Sequence, residues 1–314
     1  MENRIAIATK DLVKKFGDLT AVDHLSLEVR RGEVFGFLGP NGAGKSTSIN
    51  MICCLTRPTQ GEVYINGERV TGREEVISRI GLCPQDIIIW PKLTCFEQLV
   101  FIGEMYGMAR RTAKSRALDL LARMELTAKK NKLAHTLSGG MQRRLNICLA
   151  LVHNPEIAVL DEPEAGLDPQ SRIMVRAFIK EIAREKTVIL TTHNMDEAER
   201  LSDRVAIIDR GKLLLVDSPD NLKKSIGEGD VLEIELKKKN GTDTGKAEKV
   251  IKTLVESVSS HGNILIIKTK NVVEKIQLIT NTLKKNSYET GEIKLRGNTL
   301  EDVFIHLTGR RLRE

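Results

Sequence analysis

A glycine-rich segment beginning at position 39 has the spacing GxxxxGK[ST] and holds the residues whose chemistry is easiest to name. The apolar run Val34–Leu38 precedes it, and a helical pattern, Gly44–Leu55, follows it. Glycines let the backbone wrap closely, so that its N–H groups point at phosphate oxygens, and the helix N-terminus adds its dipole. Because a strand leads into this turn and a helix leaves it, the segment predicts a phosphate-binding loop rather than a turn without a ligand.

Within this loop each reactive residue type has a definite use. Lys45 is expected to reach the β- and γ-phosphates of a nucleoside triphosphate, the Ser46 hydroxyl to ligate Mg²⁺, and Thr47 to donate to the α-phosphate. The residues predicted to bind the nucleotide in this segment are Gly39, Pro40, Asn41, Gly42, Ala43, Gly44, Lys45, Ser46 and Thr47.

A second segment supplies the carboxylates that a phosphate site needs. The buried-strand pattern Ile157–Leu160 runs directly into Asp161 and Glu162. Neighbouring residues at a strand end point in different directions, so Asp161 can hold Mg²⁺ through water while Glu162 faces the attacking water as general base. A solvated acidic turn is the alternative for this segment by itself. Beside the phosphate loop, the pair predicts an Mg²⁺-dependent nucleoside triphosphatase.

A third segment indicates which kind of triphosphatase this is. The run from Leu137 to Leu145, with Ser138, Gly139 and Gly140 at a helix start, resembles the LSGGQ signature of ATP-binding cassette (ABC) ATPases. The resemblance extends over residues 4 to about 220 and implies that the nucleotide is ATP. It also implies that these three residues contact ATP held by a second subunit. Met141 stands where the family usually has Gln, and an ordinary helix cap is the alternative for the segment alone.

The remaining family elements occur in the expected order. Gln85 matches the glutamine that senses Mg²⁺ and the water, and His193 matches the switch histidine near the γ-phosphate. Asp168 matches a loop at the dimer seam, and Phe16 matches the aromatic residue that stacks on adenine. Taken singly, these four are also typical of a polar turn, a solvated histidine, a helix cap and a core aromatic. The implied Mg²⁺ ligands are Ser46, Gln85 and Asp161.

One position departs from the family pattern. The sequence reads Asp-Glu-Pro-Glu where the family commonly has Asp-Glu-Pro-Thr, which makes Glu164 an extra carboxylate beside the two functional ones. The sequence assigns it no role.

The length of 314 residues favours two domains. Residues 1–222 are expected to form the ABC ATPase domain, and residues 225–314 a small α+β accessory domain. The expected fold is α/β: a P-loop ABC fold with a RecA-like, mostly parallel core, an antiparallel β subdomain and a helical signature subdomain. In the second domain, the pattern predicts three strands and three helices. They are Val231–Leu236, Ala247–Val258, Ile264–Lys268, Val272–Lys285, Ile293–Leu295 and Leu300–Leu307.

Composition argues against several other classes. Aromatic residues make up only 4% of the chain and the net charge of +7 is well mixed, which disfavours a nucleic-acid partner. No apolar run reaches the length of a membrane-spanning helix, and no secretory signal is visible at the N-terminus. The five cysteines contain no CxxC pair, which favours reduced thiols in a cytoplasmic protein. Any association with the cytoplasmic face of the membrane is therefore expected to come through a partner.

The resemblance implies an ATPase subunit that powers a transporter by ATP-driven dimer closure. The segment Leu300–Arg310 is similar to the end of daunorubicin-type drug-resistance exporter subunits, which favours export. The implied partners are a separate membrane-spanning permease and a second nucleotide-binding subunit, expected to be an identical chain. The apolar segment Ile87–Pro91 either packs in the core or receives a helix of that permease.

Two alternatives stay open. One is an importer ATPase with a regulatory C-terminal domain, and the other is a soluble ABC ATPase without a transport role. Gly39 and Ser138 are 99 positions apart, which leaves no room for the long coiled coil of chromosome-maintenance members.

Overall fold

A computed structural model describes residues 5–226, 230–237, 244–255, 257–269 and 272–309. The chain divides into two compact units, the first reaching Pro219 and the second spanning Asp220–Gly309. The break falls a few residues before the expected boundary at 222–225. No helix in the described ranges is both long enough and apolar enough to cross a membrane.

The first unit contains two sheets and their covering helices. Its strands are β1 (Ile5–Phe16), β2 (Leu19–Arg30), β3 (Val34–Leu38), β4 (Gln60–Ile65), β5 (Glu68–Arg69), β6 (Ile80–Cys83), β7 (Ile157–Asp161), β8 (Thr187–Thr192), β9 (Arg204–Asp209) and β10 (Lys212–Asp217). Its helices are α1 (Lys45–Ile52), α2 (Glu74–Ile77), α3 (Cys95–Met105), α4 (Arg110–Arg123), α5 (Gly139–Leu151), α6 (Pro169–Ile182) and α7 (Met195–Leu201), and α8 (Pro219–Ser225) leads into the second unit.

The central sheet of the first unit has six strands in the order β10-β9-β3-β8-β7-β6. All neighbouring strands pair in parallel except β9 and β10. Every residue of β3, β7 and β8 is buried, as expected for parallel strands covered on both faces. The carboxyl ends of β3, β6, β7 and β8 therefore meet at one edge of the sheet, which is where ligands bind in open α/β sheets.

The other sheet of this unit is antiparallel, with the order β2-β1-β4-β5. Its apolar face shares a core with β3 and α1 that includes Phe35, Phe37 and Ile49. Helices α3, α4 and α5 form a helical region around Leu99, Leu120 and further apolar side chains, and its core is continuous with the parallel sheet and α6. The two sheets and the helical region correspond to the three parts of the expected fold.

The second unit is a four-stranded antiparallel sheet with helices packed on its apolar residues. The strands are β11 (Asp230–Leu236), β12 (Ser257–His261), β13 (Ile264–Thr269) and β14 (Thr290–Arg296), and the helices are α9 (Thr244–Ile251), α10 (Val272–Lys285) and α11 (Leu300–Thr308). The sheet order is β12-β13-β11-β14. Leu232, Leu265 and Ile279 lie in its core.

One predicted element of this unit is wrong. The helix expected over Ala247–Val258 ends at Ile251, and its last residues belong instead to β12. The segment Ser257–His261 is too polar to reveal a strand by pattern, but it pairs along its full length with β13. Pairing with the adjacent strand β13 has here overridden the local helical signal.

Candidate nucleotide site

The loop from Gly39 to Gly44 joins β3 to α1 and fits so tightly that two positions require glycine. A Cβ on Gly39 would clash with the Ile208 carbonyl oxygen, and a Cβ on Gly44 would clash with the Ala21 carbonyl oxygen. Gly44 also has φ +99°, a conformation that side chains with a Cβ rarely adopt. The loop is therefore held between the end of β9 and the antiparallel sheet.

The side chain of Lys45 is buried inside this loop. Its Nζ donates to the carbonyl oxygens of Gly39 at 2.8 Å and Pro40 at 3.0 Å. Burial lowers the pKa of Lys45, and the nearby carboxylates of Glu162 and Asp161 act in the opposite direction. The Lys45 ammonium thus donates to neutral carbonyl oxygens. A phosphate bound in the loop would supply charged oxygens, which are stronger acceptors.

A cavity of about 660 Å³ lies in front of the loop. This volume is within the range of small-molecule and cofactor sites. Phe16, at the end of β1, lines the cavity with about half of its surface exposed, and the Lys14 ammonium lies 5.0 Å from its ring centre. The other cavity residues are Leu19, Thr20, Ala21, Asn41, Gly42, Gly44, Lys45, Ser46, Thr47, Gln85, Glu162, Arg210 and Gly211.

The two carboxylates at the end of β7 have different partners. Asp161 is buried and accepts a hydrogen bond from the Thr191 hydroxyl on the neighbouring strand β8. Glu162 has φ +48°, unusual for a residue with a side chain, and its N–H is held by the Thr191 carbonyl (3.2 Å) and hydroxyl (3.0 Å) oxygens. This backbone turn directs Glu162, and not Asp161, to the cavity wall.

Glu162 connects two of the other predicted site residues. Its Oε1 lies 2.8 Å from Nδ1 of His193, and its Oε2 accepts a hydrogen bond of 3.3 Å from Nε2 of Gln85. The carboxylate is buried, whereas the His193 side chain is half exposed. The three residues leave the ends of β6, β7 and β8, so the parallel sheet brings together positions that are 77 and 31 residues apart.

The signature residues lie outside the cavity of their own chain. Ser138 caps α5, accepting a hydrogen bond of 3.4 Å from the Met141 N–H. The Asp168 carboxylate caps α6 by accepting hydrogen bonds from the N–H and the hydroxyl of Ser171. These hydrogen bonds lower the pKa of Asp168. The two caps are close neighbours: a Cβ on Gly140 would lie 3.5 Å from Oδ2 of Asp168. The same arrangement leaves Ser138, Gly139 and Gly140 together at one helix start.

Sequence reasoning missed Arg143, which is among the largest fully buried side chains of the first unit. Its guanidinium donates to backbone carbonyls at the ends of β6 and β7. The available signal was an arginine in a helix whose later residues are apolar apart from Arg144 and Asn146. Without the fold, that signal does not distinguish a buried arginine from a solvated one.

The departure at Glu164 also has a structural partner. Arg176 on α6 forms a two-pronged ion pair with it, Nε to Oε1 at 2.5 Å and Nη2 to Oε2 at 2.7 Å. Glu164 is buried, and the pairing raises the pKa of Arg176. Arg176 thus neutralises the extra carboxylate away from the cavity. The ion pair links the segment after Glu162 to α6.

The oxygen donors at this edge fit the Mg²⁺ ion that a nucleoside triphosphate carries. A hydroxyl on Ser46, an amide on Gln85 and a carboxylate on Asp161 are the hard ligands that this ion prefers, usually together with phosphate oxygens and water. Within the described residues no cluster of three or more histidines, cysteines or carboxylates forms a metal site by itself. This donor set suits an ion shared with a phosphate.

A family model described as ABC transporter matches residues 22–165. A Nod factor export ATP-binding protein of Ralstonia nicotianae is 34% identical over 98% of this chain and 95% of its own length. The chain belongs to the ATP-binding proteins of ABC transporters. This confirms the expected family and the expectation of an ATPase that powers a transporter.

Other relatives of this ABC ATPase also match along their whole lengths. A linearmycin resistance ATP-binding protein of Bacillus subtilis is 34% identical over 98% of this chain and 100% of its own. A daunorubicin resistance ATP-binding protein of Streptomyces coeruleorubidus is 34% identical over 98% of both chains. The match therefore includes the second unit as well as the ATPase unit.

Solved structures support the expected fold of the ABC ATPase. An ATP-binding subunit of an ABC transporter has a TM-score of 0.65 and 27% identity, covering 70% of this chain and 93% of that one. A dimeric ATP-binding cassette in a post-hydrolysis state, bound to ADP and Pi, has a TM-score of 0.62 and 29% identity, covering 68% of this chain and 98% of that one. The α/β ABC fold is confirmed.

Proposed function

We propose that this chain binds ATP at the loop around Lys45, hydrolyses it with Glu162, and drives a separate membrane-spanning permease in export. The observation that carries the proposal is the shared cavity: the phosphate loop and Glu162 both line it. The Glu162 carboxylate lies between His193 and Gln85 in the same region. Relatives of full length named for export or drug resistance support the direction of transport.

The phosphate loop positions the nucleotide. Its backbone N–H groups and the start of α1 face the phosphates, Lys45 exchanges its loop carbonyls for the β- and γ-phosphates, and Thr47 donates to the α-phosphate. Phe16 stacks on the adenine at the cavity rim. Mg²⁺ held by Ser46, Gln85 and Asp161 would neutralise charge on the phosphate oxygens.

Glu162 acts as the general base. A buried carboxylate within hydrogen-bond distance of an imidazole and an amide is oriented before substrate arrives, and it can take the proton of a water that attacks the γ-phosphate. Gln85 orients that water and His193 contacts the γ-phosphate. Asp161, the last residue of β7, accepts a hydrogen bond from the Thr191 hydroxyl on β8, which fixes its carboxylate beside Glu162.

The signature residues act on the nucleotide of a second, identical subunit. Ser138, Gly139 and Gly140 lie outside the cavity of their own chain and close to Asp168, so a partner's ATP facing this helix start would lie between the two chains. The dimeric relative bound to ADP and Pi supports such an assembly. ATP then favours the closed dimer, and hydrolysis removes the contacts that hold it closed.

A groove of about 400 Å³ in the first unit suits the permease. Ile88 and Trp90 line it with exposed side chains, and Ile102 and Tyr106 line it from α3 and the residue that follows. The segment Ile87–Pro91 thus presents an apolar surface beside Gln85 and is proposed to receive a helix of the permease. This contact would hold the subunit at the cytoplasmic face of the membrane.

The proposal is tested by purifying the tagged full-length chain from gently solubilised membranes, identifying its partners by mass spectrometry and assaying ATP hydrolysis. We expect a multi-span permease, with less recovered for Trp90→Ala than for the wild type. Ile173→Ala, which removes an exposed apolar side chain on α6, is the matched control and should recover the permease normally.

Two results would contradict the proposal in different ways. Purely soluble partners would overturn the transport role and leave only the ATPase chemistry. A solute-binding protein in the same complex would instead favour import.

A further inference from the structure

Arg143 occupies an unusual place on the signature helix. It lies on α5, five residues after the capping Ser138, which is about 7.5 Å along a helix axis. Only 2% of its surface is exposed. A charged side chain is rarely buried to this degree without partners that compensate the loss of water.

One side of the guanidinium holds the end of β6. Nη1 donates to the carbonyl oxygens of Pro84 at 2.6 Å and Gln85 at 2.9 Å. Gln85 is the residue whose amide contacts the Glu162 carboxylate. This part of Arg143 therefore fixes the backbone from which the Gln85 side chain leaves.

The other side of the guanidinium holds the end of β7. Nη2 donates to the carbonyl oxygens of Asp161 and of Glu162, the latter at 2.8 Å, and Nε lies 3.4 Å from the Pro163 carbonyl oxygen. These are the backbone groups of the two functional carboxylates and the residue after them. A single side chain thus bridges both strand ends that form the hydrolytic side of the cavity.

The chemistry of this bridge is specific to arginine. Carbonyls just beyond a strand end have left the sheet ladder and need other donors when they are buried. A guanidinium presents five N–H groups in a rigid plane, whereas an ammonium presents three from one point. Lysine at 143 would keep the charge but could not reach both strand ends at once.

We propose that Arg143 is a positioning residue that transmits the state of the signature helix to Gln85 and Glu162 of the same subunit. The inference rests on the proposed function, in which Ser138 contacts ATP held by a second chain. Because α5 carries both the Ser138 cap and Arg143, a shift of the helix on binding the partner's ATP moves the two strand ends together. Each subunit then hydrolyses its own ATP when its signature residues are occupied.

The neighbouring residue supplies a matched control. Arg144 lies on the same helix and is also buried, but its Nη1 donates to the Met124 carbonyl oxygen at 2.8 Å and lies 2.9 Å from Sδ of Met174. Those groups belong to the end of α4 and to α6, not to the cavity. Substitution of either arginine removes a buried guanidinium from α5, so general destabilisation should be similar.

The experiment compares full-length Arg143→Lys and Arg143→Gln with Arg144→Lys and Arg144→Gln. ATP hydrolysis is measured over a range of ATP concentrations, and melting temperature is measured in parallel. We expect both Arg143 variants to lose about tenfold or more in kcat with KM within threefold, because displaced catalytic groups affect turnover more than binding. The dependence on ATP concentration should also lose cooperativity. Arg144 variants with the same melting temperatures should keep kcat within about twofold.

Several outcomes would overturn the inference. They are an unchanged kcat in the Arg143 variants, an equal loss in the Arg144 variants, or a loss confined to KM. A wild-type chain without ATPase activity would instead overturn the proposed function, and this inference with it. The two failures are therefore distinguished by the wild-type measurement alone.

Discussion

The two units of the chain bury charge in different ways. In the second unit the buried Asp302 meets Arg296 through two hydrogen bonds, of 2.6 Å and 3.1 Å, and also belongs to the cap of α11. Arg296 has a further partner in Glu233, at 2.8 Å. The opposite charges of this group are paired with one another, and the group connects a strand to a helix.

The first unit instead gathers buried charges at one edge of a sheet. Lys45 and Arg143 donate to backbone carbonyls, and the Glu162 carboxylate faces a cavity with hydrogen-bond partners in an imidazole and an amide. Such charges are expensive to bury and are incompletely compensated within the chain. The difference indicates that the charges around Asp302 stabilise architecture, while those at this sheet edge of the first unit suit the proposed ligand site.

The largest expected effect is on turnover. Glu162→Gln keeps the shape of the side chain and removes the base, so we expect ATP turnover to fall by about 10³-fold. ATP binding should be retained and a closed dimer should accumulate, measurable by steady-state hydrolysis and size-exclusion chromatography with ATP. Near-wild-type turnover would show that the base lies elsewhere.

Nucleotide affinity should respond next most strongly. Lys45→Ala removes the ammonium of the phosphate loop, and we expect ATP affinity to fall by about 100-fold, as for the loss of charge-assisted hydrogen bonds. Fluorescence titration with an ATP analogue measures this. Lys186→Ala is the control, because the buried ammonium of Lys186 donates to Asn154 and Pro155, outside the cavity. The ATP affinity of this variant should be unchanged. Equal losses in both variants would contradict the assignment.

A third prediction concerns Glu197, a buried carboxyl on α7. Burial raises its pKa to about 8, with Glu164 and Glu162 acting in the same direction, and a hydrogen bond from Thr192 and the charge of Arg176 opposing. The folded state therefore retains a proton that the unfolded chain releases near pH 4.5, the ordinary value for a glutamate. Because of this difference, the free energy of unfolding falls as pH rises from about 4.5 to about 8.

Glu197→Gln replaces the titrating carboxyl with an amide that does not titrate. The decline of unfolding free energy with pH should therefore be absent in this variant. Relative to the wild type, the variant should gain about 3 to 4 kcal/mol of unfolding free energy between pH 5 and pH 8. Chemical denaturation at the two pH values measures the difference. If the unfolding free energies of variant and wild type differ by the same amount at pH 5 and pH 8, the pKa of Glu197 is not raised.

The smallest effect tests the second unit. Asp302→Asn weakens a pair whose arginine is partly exposed, so we expect a loss of about 1 kcal/mol in unfolding free energy and turnover within twofold. Thermal melting and ATP hydrolysis on the same preparation measure both. A strong loss of turnover without loss of stability would break the distinction between the two units.

Local sequence was sufficient to predict that the loop Gly39–Gly44 joins a strand to a helix and that Asp161 and Glu162 lie at a strand end. In both cases a short apolar strand is followed directly by the proposed site residues, and the parallel sheet then brings the strand ends together. The sequence pattern alone could not predict the contacts of Glu162 with Gln85 and His193, because these residues follow three separate strands. The family resemblance supplied the positions of these two residues but not their contacts.

The features that were missed depend on partners that local spacing does not reveal. Arg143 reaches carbonyls of residues 84, 85 and 161–163, and nothing in the spacing marks a backbone oxygen as an acceptor. The pairing of Glu164 with Arg176 links a turn to the middle of a helix. Strand β12 was missed since its polar residues become a strand only beside β13.

The bridge made by Arg143 has a consequence for how this region can evolve. All of its hydrogen-bond acceptors are main-chain oxygens, and every amino acid at positions 84, 85 and 161–163 presents the same oxygen. Substitutions there leave the guanidinium with chemically identical partners. We therefore expect position 143 to vary little among relatives and to covary with no other position. The reason is that its hydrogen-bond partners are backbone atoms, which do not change when a side chain changes.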